Sequence, residues 1–109
     1  MGEKFWIQDF ATGLDRLRIH FITEAGRVIS IVVIQYEAYI DGKWRAIVRF
    51  DEAHGYFHRD VMSPTDGQKK TVQPAVNKDL ALNDAIDHIK QFWCTYRETY
   101  EDEYYERKQ

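Results

Sequence analysis

Residues 27–51 read RVISIVVIQYEAYIDGKWRAIVRFD. From Arg27 to Ile40 the even positions are Val28, Ser30, Val32, Ile34, Tyr36, Ala38 and Ile40. The odd positions begin apolar at Ile29, Ile31 and Val33 and end polar at Gln35 and Glu37. This alternation predicts a strand, because successive side chains leave opposite faces. Apolar residues on both faces predict a central strand covered on both sides. Asp41-Gly42 interrupts the run, and Trp44 to Asp51 resumes it. Trp44, Ala46, Val48 and Phe50 share one face, and Arg45, Ile47, Arg49 and Asp51 take the other. Asp-Gly by itself favours a two-residue type I′ turn, which sets Ala38 opposite Arg45. Register follows the buried face, so a bulged three-residue loop of Ile40, Asp41 and Gly42 is expected instead. That loop pairs Tyr39 with Lys43, Ala38 with Trp44, Tyr36 with Ala46 and Ile34 with Val48. It puts Glu37 opposite Arg45 and Val33 opposite Arg49.

On the N-terminal side, Leu17 to Thr23 is a further predicted strand, with Leu17, Ile19 and Phe21 on one face and Arg18, His20 and Ile22 on the other. Glu24-Ala25-Gly26 is a turn signal. Residues 1–12 form an aromatic lead-in of no assigned structure. On the C-terminal side, Tyr56 to Met62 predicts a strand. Ser63-Pro64-Thr65-Asp66-Gly67 predicts a turn, and Lys69 to Val72 a short edge strand that Pro74 ends. From Lys78 the period changes. Leu82, Ala85, Ile86, Ile89, Phe92, Trp93 and Tyr96 recur at spacings of three and four, which draws one apolar stripe along a helix. Asn77 or Asn83 can cap its start. The expected fold is a single α+β domain over residues 1–109. An antiparallel sheet of about four to five strands (13–73) packs on one long C-terminal helix (78–109) with an acidic, tyrosine-rich end.

The 109 residues, 44% hydrophobic and 15% aromatic, suffice for one core without disulfides. Cys94 is the single cysteine, so no internal disulfide forms and a reducing, cytoplasmic setting is expected. No apolar run nears the roughly 18 residues of a membrane span. The opening Phe5-Trp6-Ile7 is broken at once by Gln8-Asp9, so no secretory leader is expected. The net charge of −3 argues against broad electrostatic binding to nucleic acid. Much of that charge sits in the tail, where Glu98, Glu101, Asp102, Glu103 and Glu106 face Arg97, Arg107 and Lys108. The near-neutral body therefore leaves room for a local basic patch. The tail itself reads as a solvated helical end, or as a docking helix for a basic partner.

The densest polar cluster is Arg49 to Asp60, RFDEAHGYFHRD, spanning a strand end, a glycine-containing loop and the next strand. Loops held between strands are common sites of binding and catalysis. Asp51, His54, His58 and Asp60 are acceptable metal ligands. Their spacing matches no helical or zinc-finger pattern, however, so neither a metal nor a cofactor is expected. Histidine moves protons near neutral pH. RNA carries its own nucleophile, the 2′-hydroxyl, so a base, an acid and a cation suffice to cleave it. One loop register sets His58 opposite Arg49, with Arg18 and His20 facing the same side two strands away.

The same string resembles the signature of the TumE-like toxin family of prokaryotic type II toxin–antitoxin systems, R-Y-D-N-A-H-G, two variable residues, then H-R-H. Arg49, Asp51, Ala53, His54, Gly55, His58 and Arg59 match it. Phe50 replaces the tyrosine, Glu52 the asparagine and Asp60 the last histidine. The resemblance implies a small cytoplasmic toxin acting on RNA and neutralised by a helix-turn-helix antitoxin. It implies a site of Arg49, Asp51, His54, His58 and Arg59. There His58 and His54 serve as proton-transfer partners, Arg49 and Arg59 steady the phosphate, and Asp51 orients a histidine. The expected activity is metal-independent ribonuclease chemistry. The alternative is a non-enzymatic relative that keeps the fold and binds a protein partner or a second copy of itself.

Overall fold

The computed structural model describes residues 1–74 and 77–108, with the side chains of His54 and Lys108 outside that description. Six strands, β1 (Gly2–Asp9), β2 (Asp15–Glu24), β3 (Arg27–Ile40), β4 (Lys43–Asp51), β5 (His58–Ser63) and β6 (Gly67–Val72), precede one helix, α1 (Lys78–Lys108). The strands pair in chain order into one antiparallel meander. The α+β architecture expected from the sequence is present, with one strand more. The lead-in residues form β1, an edge strand on β2, although Phe5, Trp6 and Ile7 stay exposed.

The β3–β4 turn follows local chemistry rather than the hydrophobic pattern. Asp41 and Gly42 both have positive φ, 50° and 84°, the combination of a type I′ turn. Ile40 pairs with Lys43, Tyr39 with Trp44 and Ala38 with Arg45, so the three-residue loop does not form. A bulge past Glu37 then restores the faces. Glu37 sits opposite Ala46 and Tyr36 opposite Val48, with Ile47 the extra residue. Ile47 and Val48 are both fully buried. The alternation within Trp44 to Phe50 therefore breaks at the bulge.

Bulges also explain the doubly apolar start of β3. His20 pairs with Val33 but Phe21 with Ile31, which leaves Val32 over. Ile22 pairs with Ser30 but Thr23 with Val28, which leaves Ile29 over. Val32 and Ile29 are exposed while Ile31 is buried. Among the described residues the expected cover on both faces is absent: the helix covers one face only.

On the covered face, Leu17, Ile19, Ile34, Tyr36 and Phe50 meet Leu82, Ala85 and Ile89. Deleting a side chain such as Ile89 would cost about 2–5 kcal/mol, from lost burial and the cavity left behind. Asn77 caps the helix, its Oδ1 accepting from the Leu80 amide at 3.2 Å. Asp15 pins the far end. Its Oδ1 accepts from the Tyr36 hydroxyl at 2.5 Å and from Arg97 Nη1 at 2.6 Å, and its Oδ2 accepts from Thr12 at 2.6 Å. Burial, then the Asp15 carboxylate, pushes the Tyr36 phenol well above its ordinary range. The acidic tail is docked helix. Tyr100 is buried, and Tyr104 donates to Asp41 Oδ2 at 2.6 Å and accepts from Arg45 Nη2 at 3.1 Å.

Candidate functional site

The uncovered face of the sheet is polar, and strand pairing decides which residues share it. Asp51 pairs with His58 and Arg49 with Asp60, so these four residues point to the same side. Gln35 lies opposite Arg49, and Arg18 lies opposite Gln35. Phe50 pairs with Arg59 on the other side. Arg59 thus reaches under the helix, where its Nη1 lies 3.4 Å from His88 Nε2. Of the five residues expected to form a site, Arg49, Asp51 and His58 come together and Arg59 leaves them. Asp60, rather than His58, is the partner across from Arg49. The backbone of His54 lies in the short 3-10 turn Ala53–Gly55 between β4 and β5. Its side chain is outside the described ones.

His58 is 1% exposed and sits between two carboxylates. Its Nε2 lies 3.0 Å from Asp51 Oδ1 and 3.4 Å from Asp60 Oδ2. Its Nδ1 lies 3.1 Å from the Tyr56 carbonyl. A carbonyl only accepts, so Nδ1 carries a proton and donates. The Tyr56 ring lies against the imidazole at 5.2 Å between centroids. Asp51 is held in turn, its Oδ1 accepting from the Ala53 amide at 2.9 Å. Asp60 is buried, and its Oδ1 has no hydrogen-bond partner among the described residues.

Beside this centre runs a chain of paired groups. Arg49 Nε donates to Gln35 Oε1 at 2.7 Å, and Gln35 Nε2 donates to Glu37 Oε2 at 2.5 Å. Arg16 and Arg18 both bond Glu37, at 2.6 and 3.1 Å. Burial alone would raise the Glu37 carboxyl. The hydrogen bonds from Arg16, Arg18 and Gln35 outweigh it and hold that carboxyl below the usual range. His20 turns away to Glu3, 2.6 Å from its Nε2. Glu52 clips the site's loop to the sheet, accepting from the Ile31 amide at 2.6 Å beside the β3 bulge and meeting Lys78 Nζ at 2.9 Å.

Sequence reading undervalued Asp60, Gln35 and Glu37. Asp60 stands two residues from His58, the spacing that puts two strand residues on one face. That spacing was the available signal. Donors on two strands, such as Asp51 on β4 with His58 and Asp60 on β5, have no fixed spacing along the chain.

The sequence matches the domain of unknown function DUF7718 over residues 1–106. The chain belongs to the DUF7718 family. No curated protein and no solved structure matches it. The DUF7718 description states no activity, so the functional reading rests on the chemistry of the polar face.

Proposed function

We propose that this DUF7718 protein is a small toxin-like ribonuclease that works from the polar face of its sheet. One observation carries the reading. His58 Nε2 and the Asp51 carboxylate stand 3.0 Å apart on the same face as Arg49. A carboxylate that orients an imidazole, with a guanidinium beside it, supplies proton transfer and phosphate stabilisation. The attacking group comes from the RNA itself. In its simplest form the chemistry needs no metal, but it asks Tyr56 to move aside, because the imidazole is buried, with the Tyr56 ring against it and the Tyr56 carbonyl on Nδ1. The resemblance to TumE-like toxins at Arg49, Asp51 and His58 supports this reading, although Arg59 lies on the other face, and an adjacent helix-turn-helix antitoxin is its natural partner.

The test is RNA cleavage by purified protein, together with growth arrest on expression. His58→Ala should lower the cleavage rate by about 10²-fold or more. A variant that cleaves at the parent rate overturns the proposal. The second reading, a non-enzymatic partner-binding relative, draws on the placement of Arg59 under the helix and the burial of His58. It predicts no cleavage by the parent protein and retained binding to the neighbouring gene's product.

A further inference from the structure

We propose that Asp51, His58 and Asp60 form a binding site for one divalent transition-metal cation. The inference deepens the reading above by naming a cofactor for the same centre, and it amends the metal-free form of that chemistry. One donor atom from each of the three residues lies within 4.8 Å of the other two, and all three residues are buried. Donors bonded to one cation at about 2.1 Å, at angles near 90–110°, stand about 3.0–3.4 Å from one another. His58 Nε2 stands 3.0 Å from Asp51 Oδ1 and 3.4 Å from Asp60 Oδ2.

Hydrogen bonding gives the independent argument. The Tyr56 carbonyl takes the Nδ1 proton of His58. In the neutral ring, Nε2 then aims a lone pair at two carboxylates, an arrangement that a cation between them makes favourable. In the doubly protonated ring, Nε2 has a single N–H for two acids and still leaves Asp60 Oδ1 without a donor. A buried carboxylate oxygen with no partner is costly. A cation bonded by both acids and by Nε2 satisfies all three groups. The Nδ1–H contact to a backbone carbonyl is also the usual way a metal-bound histidine is held. An imidazole with two carboxylates suits Mn²⁺ to Zn²⁺ better than Mg²⁺ or Ca²⁺, which favour all-oxygen sets.

The experiment uses the full chain, stripped with a chelator and dialysed, and titrates it with Mn²⁺ and Zn²⁺ by calorimetry. Co²⁺ is added separately for its visible absorption. The expected result is one saturable site, a rise in Tm on binding and a ligand-field band with Co²⁺. Asp60→Asn should weaken binding at least 100-fold with unchanged circular dichroism. Asp51→Asn supplies the same comparison if the first variant does not fold. Absence of saturable binding in the parent protein overturns the proposal, and so does binding that both variants retain at the parent affinity. RNA cleavage is followed separately, with and without chelator. Cation binding without cleavage removes the ribonuclease reading and leaves the metal site standing. Cleavage that survives the chelator, with no binding of either cation, removes the metal site and leaves the ribonuclease.

Discussion

The side chains of His58 and Arg59 leave the same strand toward opposite faces of the sheet. His58 enters the carboxylate pair on the open face, and Arg59 enters the layer between sheet and helix. A groove of about 430 Å³ lined by Arg59, Lys69, Tyr96 and Glu103 opens on the helix side, away from His58. The two cations of the motif therefore have separable effects.

Arg49→Ala should lower RNA cleavage by 10-fold or more, since Arg49 lies on the face of His58. Arg59→Ala should leave cleavage within about threefold. The second substitution has its own signature. Burial, then the Arg59 charge, holds the His88 imidazole below its ordinary range. Removing that charge should move the His88 titration upward, toward but not to the free value. Proton NMR across pH 4–8 reads it, and an unmoved His88 midpoint would contradict the placement of Arg59.

Asp15 is a single carboxylate serving the helix, the central strand and the loop after β1. Asp15→Ala strips the partner from Arg97 and from the Tyr36 hydroxyl at once. Breaking a buried ion pair by removing one partner costs about 3–5 kcal/mol. Urea unfolding should show that loss, with the midpoint lowered and the slope unchanged. A change under 1 kcal/mol would mean that the pin adds little beyond its packing.

Glu37 gives the acid limb of stability. Its carboxyl is held below the usual value in the folded state, while the unfolded chain titrates near about 4.3. The stabilisation is thus present above the unfolded value and is lost as pH falls through the folded one. The parent protein should lose more stability between pH 5 and pH 3 than Glu37→Gln, whose side chain does not titrate. Equal losses in both proteins would show that the Arg16 and Arg18 contacts exert no net pull on this carboxyl.

Where local chemistry and burial agreed, the sequence was readable. The helix, its Asn77 cap and the Ala25-Gly26 turn follow from short-range signals, whereas at Asp41-Gly42 the local type I′ preference prevailed over the burial pattern that pointed to a longer loop. Bulges broke the longer inference. One residue left over past Glu37, and two more in β3, shift the parity on which every face assignment depends. Alternation alone does not show where such a residue falls. β1 escaped because an edge strand with exposed aromatics has no buried face to create a pattern. The site was half legible for the same reason. The motif names its residues, but only pairing tells that His58 joins Asp51 and that its neighbour Arg59 does not.

The last turns of α1 bind their own sheet, which sets the outcome of truncation. Tyr100 is buried, Tyr104 bridges Asp41 and Arg45, Glu103 accepts from Ser63 Oγ at 2.6 Å, and Arg107 donates to the Pro64 carbonyl at 2.5 Å. Arg45 also lies over the Tyr104 ring at 4.4 Å. Tyr100, Glu103, Tyr104 and Arg107 are thus tied to the sheet, while Glu98, Asp102 and Glu106 stay exposed. Removing residues 97–109 should therefore lower stability and leave the size-exclusion elution of the folded fraction set by a chain of the same oligomeric state. Tyr100→Ala should cost about 3 kcal/mol, as for other buried aromatic rings. Tyr104→Phe, which keeps the ring and loses the two hydrogen bonds, should cost about 1 kcal/mol. A truncated chain as stable as the parent, eluting at a different oligomeric size, would show instead that the tail serves an interface between molecules.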